Sequence, residues 1–242
     1  MEPVSPVEEV RRALVVTAHP DDVDFGAAGT VASWTSAGIE VTYCICTSGE
    51  AAGDGTVGPA ETAATRQAEQ RAAAALLDVA DVVFLDHPDG AVEPTLALRR
   101  DITRVIRTVR PDRVLTWSPE INWDHVATTH PDHRAVGMAT FAAVYPDARN
   151  PNAHPELLAD GLTAWTVPEL WLADAPAPLR NHAVDVTDVF DLRMAALHSH
   201  VSQVGAGTEL DEGMRARCAE IAAKHGLPDG RLAEEFQVVD TS

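Results

Sequence analysis

Six residues near the amino end constrain this chain more than any others. Ala13-Leu-Val-Val-Thr-Ala18 is an apolar run rich in branched residues, with no polar alternation. Such a run reads as a strand buried on both faces, as in a parallel sheet covered by helices on each side. Directly after it stands His19-Pro-Asp-Asp22, a cluster of ionisable groups where the chain must turn. Pro20 biases His19 toward extended backbone, so His19 should close the strand. Residues 25–37 then read as a helix, with Gly38 as its C-cap.

The alternation continues. Residues 41–46 read as a second buried strand, 61–77 as an alanine-rich helix carrying Arg66, Glu69 and Arg71, and 82–85 as a third strand. Residues 96–109 place Leu98, Ile102, Val105, Ile106 and Val109 on one helical face, and 114–117 form a fourth strand behind Pro111. Residues 131–144 are expected to be helical and 145–155 a loop. Strands at 167–172 and 182–186, helices at 189–200 and 209–224, and a terminal strand at 236–239 complete the reading. No repeat or low-complexity segment interrupts the chain. Its 242 residues therefore predict one α/β domain, Rossmann-like, with a mostly parallel sheet, helices on both faces and C-terminal additions.

Composition removes whole classes of partner. The chain has 37 acidic and 18 basic side chains, a net charge of −19. That field repels phosphate backbones and anionic lipid, so neither nucleic acid nor membrane insertion is expected. Cys44, Cys46 and Cys218 are odd in number and lack framework spacing, so they read as small core residues rather than disulfides or a cysteine zinc site. The first residues lack the basic and apolar regions of a signal peptide, and no apolar run approaches a membrane span. A cytoplasmic protein is the expectation, and a homo-oligomer is compatible with it.

Open α/β sheets bind ligands at the carboxyl ends of their strands. Here those ends are His19-Pro-Asp-Asp22, Thr47-Ser-Gly-Glu50, Asp86-His-Pro-Asp-Gly90 and residues 118–130, all unusually polar. The glycine-rich loop of a nucleotide site is missing, because His19-Pro-Asp-Asp22 takes its place and Gly26-Ala-Ala-Gly29 comes too late. Adjacent carboxylates repel, and a divalent cation removes that penalty. In His130-Pro-Asp-His133, Pro131 suits the first position of a helix, which puts His130 near the N-cap and His133 one turn on. His19, Asp22 and His133 then make a two-histidine, one-carboxylate set with a position open for water, as a catalytic zinc requires; Fe2+ is also compatible. Taken singly, the first motif reads more readily as a turn with an Asx hydrogen bond and the second as a capped helix start on the surface. Taken together, at strand-end loops far apart in sequence, they point to a metal.

These motifs, with Thr47-Ser-Gly-Glu50 between them, resemble the LmbE-like (PIG-L) deacetylase family over residues 10–203. The resemblance implies zinc ligands at His19, Asp22 and His133, a general base at Asp21, and an oxyanion-stabilising histidine at His130. Arg66 and Asp89 fall where family members contact substrate. His200-Val-Ser-Gln203 resembles a C-terminal signature to which no role is assigned. Two departures stand out: Val23 then Asp24 follow the aspartate pair, keeping only the second of two acids, and Thr128 stands where some members have tyrosine. The domain reading is a flexible 1–9, a deacetylase domain over 10–203, and a C-terminal helical extension over 204–242 packed on the same domain.

The expected activity is zinc-dependent removal of an acetyl or other acyl group from the amide nitrogen of a soluble amino-sugar conjugate or specialised metabolite. Asp21 would take a proton from water, and the metal with a protonated His130 would steady the oxyanion. Asp132 is a candidate to orient the histidines. An amidase of another acyl-amide conjugate, and a metal-binding relative without turnover, are the alternatives; intact Asp21 and His130 argue against the second. His87 reads equally as a substrate contact or a turn residue. His125, His154, His182, His198 and His225 read as surface or core residues. Trp117 reads as core, and Trp123 as part of a wall on which a sugar stacks.

Overall fold

The apolar run at 13–18 becomes β1 (Arg12–Thr17), an interior strand of a seven-stranded sheet. A computed structural model describes residues 10–205 and 209–242; the amino-terminal segment 1–9, expected flexible, lies outside them. The other strands are β2 (Glu40–Ile45), β3 (Asp81–Phe84), β4 (Arg113–Trp117), β5 (Glu169–Ala173), β6 (His182–Asp185) and β7 (Ala233–Asp240), in the order β3-β2-β1-β4-β5-β7-β6. The first five strands of that order pair in parallel, with Val15 between Tyr43 and Leu115.

Burial on both faces explains the uninterrupted apolar runs. Ala13 and Val15 face one core with Tyr43, Leu115 and Trp171, whereas Leu14 and Val16 face a second with Cys44, Val114 and Leu170. Helices α2 (Ala28–Ser36) and α3 (Pro59–Leu76) supply the first core, and α4 (Leu96–Val109) and α5 (Pro131–Ala142) the second. Each fully buried Leu, Val or Ile contributes about 1.5–3 kcal/mol, so these layers dominate the fold's stability. Gly137 of α5 lets that helix touch the sheet: a Cβ there would lie 2.2 Å from the carbonyl oxygen of Trp117.

Two elements differ from the sequence reading. The helix expected over 25–37 begins earlier and is broken, as α1 (Asp22–Gly26) and α2, because Ala27 takes φ −151° at the join. The expected helical extension over 204–242 also needs correction. It contains a helix, α8 (Glu209–Lys224), but β7 inserts between β5 and β6, pairing antiparallel with both (Trp171 with Val238, His182 with Phe236). Phe236 and Val238 join the first core, so the tail completes the sheet. The stretch expected as a loop, 145–155, opens on a π-helical turn (Ala143–Ala148) and ends where α6 (Pro155–Ala159) begins, and α7 (Phe190–His198) follows β6. No described helix is long and apolar enough to cross a membrane.

The topology creates one crevice. The chain winds from β1 outward to β2 and β3, then returns to β4 on the other side of β1. Where the winding reverses, the loops after the two neighbouring strands leave toward opposite faces, opening a cleft at their carboxyl ends.

Candidate active site

The loops after β1 and β4 bring the histidines and aspartates of both motifs to this cleft. Asp22 folds back on the end of β1, its Oδ2 accepting from the backbone N–H groups of Ala18 (3.0 Å) and His19 (2.8 Å). Its other oxygen, Oδ1, lies 3.0 Å from His133 Nε2 and 3.6 Å from His19 Nδ1. The two imidazole nitrogens are 3.3 Å apart.

The outer partners show which ring atoms face inward. His133 Nδ1 lies 3.2 Å from the carbonyl oxygen of Thr128, which can only accept, so Nδ1 holds the proton and Nε2 presents a lone pair. His19 Nε2 faces two carboxylates, Asp89 Oδ1 at 3.0 Å and Asp132 Oδ2 at 3.3 Å, which leaves Nδ1 as the inward lone pair. Trp117 stacks on His133 at 4.6 Å and 10°, locking the ring plane. Asp132 is 1% exposed and accepts from Gly90 N–H (2.8 Å) and Val92 N–H (3.2 Å), tying the loop after β3 to the start of α5.

Two lone pairs and a carboxylate oxygen converging at 3.0–3.6 Å require something positive between them. Tetrahedral zinc with bonds of about 2.0–2.2 Å needs its ligand atoms about 3.3–3.6 Å apart, so the donor set fits. Protons answer the same demand. Burial opposes charge on His19, but hydrogen bonds to Asp22 and Asp89, with their charges, lift its pKa to about 11. Burial also opposes charge on Asp22, yet the charge and hydrogen bond of His133, with those of His19, hold its carboxyl well below the usual range. Two overlapping groups, His19 with His130 and His133, and His19 with Asp89 and Asp132, also hold donor atoms within 4.8 Å of one another.

Asp21 stands beside this centre in a left-handed conformation, φ 90°. Its N–H donates to Gln70 Oε1 (2.8 Å), and its Oδ2 accepts from Arg66 Nη2 (3.2 Å). Burial, then the neighbouring Asp22 charge, raises its pKa to about 7 against the opposing pull of Arg66. Arg66 is nearly buried and also donates to the carbonyls of Pro20 (2.7 Å) and Gly49 (3.0 Å). Gly49 has to be glycine, since φ is 67° and a Cβ would fall 2.3 Å from Arg66 Nη1. Asp89, besides its contact to His19, accepts from Ala51 N–H through Oδ2 (2.9 Å). The two residues expected to contact substrate thus also brace Asp21 and His19.

His130 caps α5, its Nδ1 accepting from Asp132 N–H at 3.2 Å. The neutral ring therefore carries its proton on Nε2. Burial, and next the charge of His19, push its pKa below the ordinary value. Trp123 is 77% exposed on the loop after β4, and Trp117 is buried as expected. Of the outlying histidines, His87 pairs with Asp101, His154 with Asp147, His198 with Asp211 and His225 with Glu235, and His182 packs edge-on to Trp171.

Gln70 and the role of His200 escaped the sequence reading. Gln70 follows Arg66 by four residues, one helical turn, so the two share a face, and that spacing is the available signal. His200 Nε2 lies 2.8 Å from Asp24 Oδ2, and both residues are fully buried.

Known proteins resemble this chain in sequence and in fold. The PIG-L family of GlcNAc-PI de-N-acetylases matches residues 14–144. The chain is 33% identical over 199 residues to the diacetylchitobiose deacetylase of Thermococcus kodakarensis, covering 82% of this chain and 72% of that protein. It is 30% identical over 244 residues to the 1D-myo-inositol 2-acetamido-2-deoxy-alpha-D-glucopyranoside deacetylase of Rhodococcus erythropolis, covering 80% and 81%. Its structure superposes on N,N′-diacetylchitobiose deacetylase from Pyrococcus horikoshii with TM-score 0.87 at 27% identity, covering 98% of this chain and 86% of that one. With its matched motifs converging at the sheet's switch point, the chain belongs to the PIG-L (LmbE-like) deacetylase family.

Proposed function

We propose that this chain is a zinc-dependent N-deacetylase that hydrolyses the acetamido group of a soluble amino-sugar conjugate, with His19, Asp22 and His133 as metal ligands. One observation carries the reading: three inward-facing donors converge at 3.0–3.6 Å, with the Asp21 carboxylate and the His130 ring beside them in the same cleft. When bound, the metal supplies Lewis acidity, polarising the acyl oxygen and making water acidic near neutral pH.

The chain's own residues do the rest. Asp21, with a pKa of about 7, takes a proton from the attacking water as the C–O bond forms. Arg66 holds the carboxylate in place through Oδ2. His130 donates its Nε2–H to the developing oxyanion, which a neutral imidazole does without a second positive charge in the cleft. The proton on Asp21 then passes to the amine nitrogen as the C–N bond breaks, giving acetic acid and an amine, and transfer of the acid's proton to the amine leaves acetate and an ammonium group. Asp89 and Asp132 keep His19 Nε2 protonated and its Nδ1 directed at the metal.

The substrate class follows from the relatives, whose names specify diacetylchitobiose and a 2-acetamido-2-deoxy-glucopyranoside, both N-acetylated amino sugars. A hollow of about 180 Å³ lies beside Arg66, between Gly53, Val57, Thr62 and Gln203, and suits the remainder of such a conjugate. Three free cysteines and the strongly acidic composition suit a cytoplasmic enzyme acting on a small molecule. The test is Asp21→Asn. It should retain one metal ion per chain while acetate release from a panel of N-acetylated amino sugars and other acyl-amides falls by about 10²–10⁴. Undiminished release would reject the base assignment, and release from the other acyl-amides alone would replace the deacetylase with an amidase. Metal analysis of the purified protein decides between zinc and iron.

A further inference from the structure

The signature His200-Val-Ser-Gln203 takes no part in the chemistry above, yet its side chains end on the elements that hold Asp21. His200 Nε2 lies 2.8 Å from Asp24 Oδ2, and Gln70 Nε2 lies 2.9 Å from the same oxygen. The other end of Gln70, Oε1, accepts the backbone N–H of Asp21 at 2.8 Å. Asp24, Gln70 and His200 are each 0% exposed.

The donor inventory removes any freedom from this chain of bonds. A carboxylate only accepts, so His200 carries a proton on Nε2 and Gln70 must turn its NH2 toward Asp24. That orientation puts the amide oxygen of Gln70 on Asp21. Two residues beyond His200, Ser202 grips the neighbour of Gln70: its N–H and Oγ–H donate to Glu69 Oε1 (2.8 Å) and Oε2 (2.6 Å). The signature thus clamps α3 at Glu69 and reaches Gln70 through Asp24.

Asp21 needs such a hold. Left-handed backbone is sparsely populated by residues other than glycine and persists where surrounding structure over-determines it. Arg66 restrains the side chain of Asp21, but among the described residues its N–H is bonded by Gln70. We infer that His200, acting through Asp24 and Gln70, is a positioning residue that holds Asp21 in its left-handed turn and so aims the carboxylate at the metal centre. This rests on the assignment of Asp21 as base.

The test uses zinc-loaded protein carrying His200→Leu, His200→Gln or Gln70→Met, each alone and combined with Asp21→Asn. Hydrogen exchange of the Asp21 amide, and kcat and KM for acetate release from N,N′-diacetylchitobiose, are measured. His200→Leu and Gln70→Met should speed exchange at Asp21 by about tenfold or more while amides of β1 and β2 are unmoved. They should lower kcat at constant KM, and His200→Gln, which keeps an N–H donor, should restore both readouts. Over Asp21→Asn neither variant should lower kcat further. Unchanged exchange at Asp21 in the folded variants, or kcat losses that multiply with Asp21→Asn, would overturn the inference. If His200→Leu does not fold, Gln70→Met still decides, because Asp24 keeps its bond to His200. Full activity in Asp21→Asn would remove the base assignment alone, and amide exchange, which needs no turnover, would still report on the clamp.

Discussion

On the antiparallel side of the sheet, buried carboxylates meet mainly permanent cations, His225 being the exception. Glu234 of β7 faces Arg193 of α7 at 2.8 Å, Glu235 is held by Arg180 and by Lys224 and His225 at 2.9 Å, and Glu169 of β5 meets Arg113 at 2.7 Å. At the carboxyl ends of β1 and β4, Asp21, Asp22, Asp89 and Asp132 converge around imidazoles, and among the described residues Arg66 is the guanidinium paired with one of them, Asp21. Both regions bury charge at similar exposure. They differ in who supplies the positive partner. A guanidinium is always charged and never leaves, so its pairs are fixed structure. Imidazoles take up a proton or yield it to a metal, so their pairs suit a site that must be loaded.

The largest effect that would break this contrast is at Asp22, proposed above as a ligand. Asp22→Asn keeps the shape of the side chain but halves its capacity to accept. Metal affinity should fall by more than about 100-fold, beyond the usual loss for an outer-sphere partner, and acetate release should fall with it. In the parent chain, zinc at 100 times its dissociation constant should add about 2.7 kcal/mol to stability, an increment abolished by a chelator and absent from the variant. Calorimetry with and without chelator reads both. Stoichiometric zinc on Asp22→Asn would remove Asp22 from the ligand set.

Arg193→Met tests the other side. Glu234 also accepts from Gly29 N–H (3.0 Å) and Thr30 N–H (2.7 Å), so this strand carboxylate sits on the first turn of α2, where negative charge is favoured. Removing the arginine leaves that charge unpaired in the core, at an expected cost of about 3–5 kcal/mol. Zinc content and kcat per folded molecule should stay at the parent values. Urea unfolding beside metal analysis checks this. Loss of zinc at parental stability would mean that the paired region also serves the site.

The same contrast explains what the sequence disclosed. β1, β2 and β4 are buried on both faces, so their apolar runs are unbroken and legible. β7 carries Glu234-Glu235, poor strand formers whose burial depends on arginines more than forty residues away, so only its last apolar residues stood out. The two His-Pro-Asp motifs were legible because proline fixes the backbone on which each histidine sits, and because ionisable residues cluster where a strand must end. Asp24 and His200 were not, since they are 176 positions apart and only tertiary packing separates a buried polar pair from two exposed ones. Gln70 sits among similar polar residues in an alanine-rich helix, and Gln67, one turn earlier, looks the same in sequence.

The smallest effect sharpens the contrast through pH. Burial works against the Glu235 carboxylate, but hydrogen bonds from His225, Lys224 and Arg180 outweigh it and bring the pKa to about 2 from an ordinary 4.5. A carboxylate depressed on folding adds stability that is fully present above its unfolded pKa and is lost as pH falls through the folded one. The increment should therefore be intact above about pH 4.5 and disappear toward pH 2. Lys224 reaches the pair from solvent, which screens its share, so about 1–2 kcal/mol is expected rather than the full shift. Glu235→Gln should lose that amount at pH 7 and converge on the parent chain near pH 2–3. Measuring both chains with chelator present keeps acid release of metal out of the difference. A gap that stays constant from pH 7 to pH 2 would mean that Glu235 acts by shape and hydrogen bonding alone, and charge matching would then not describe this half of the sheet.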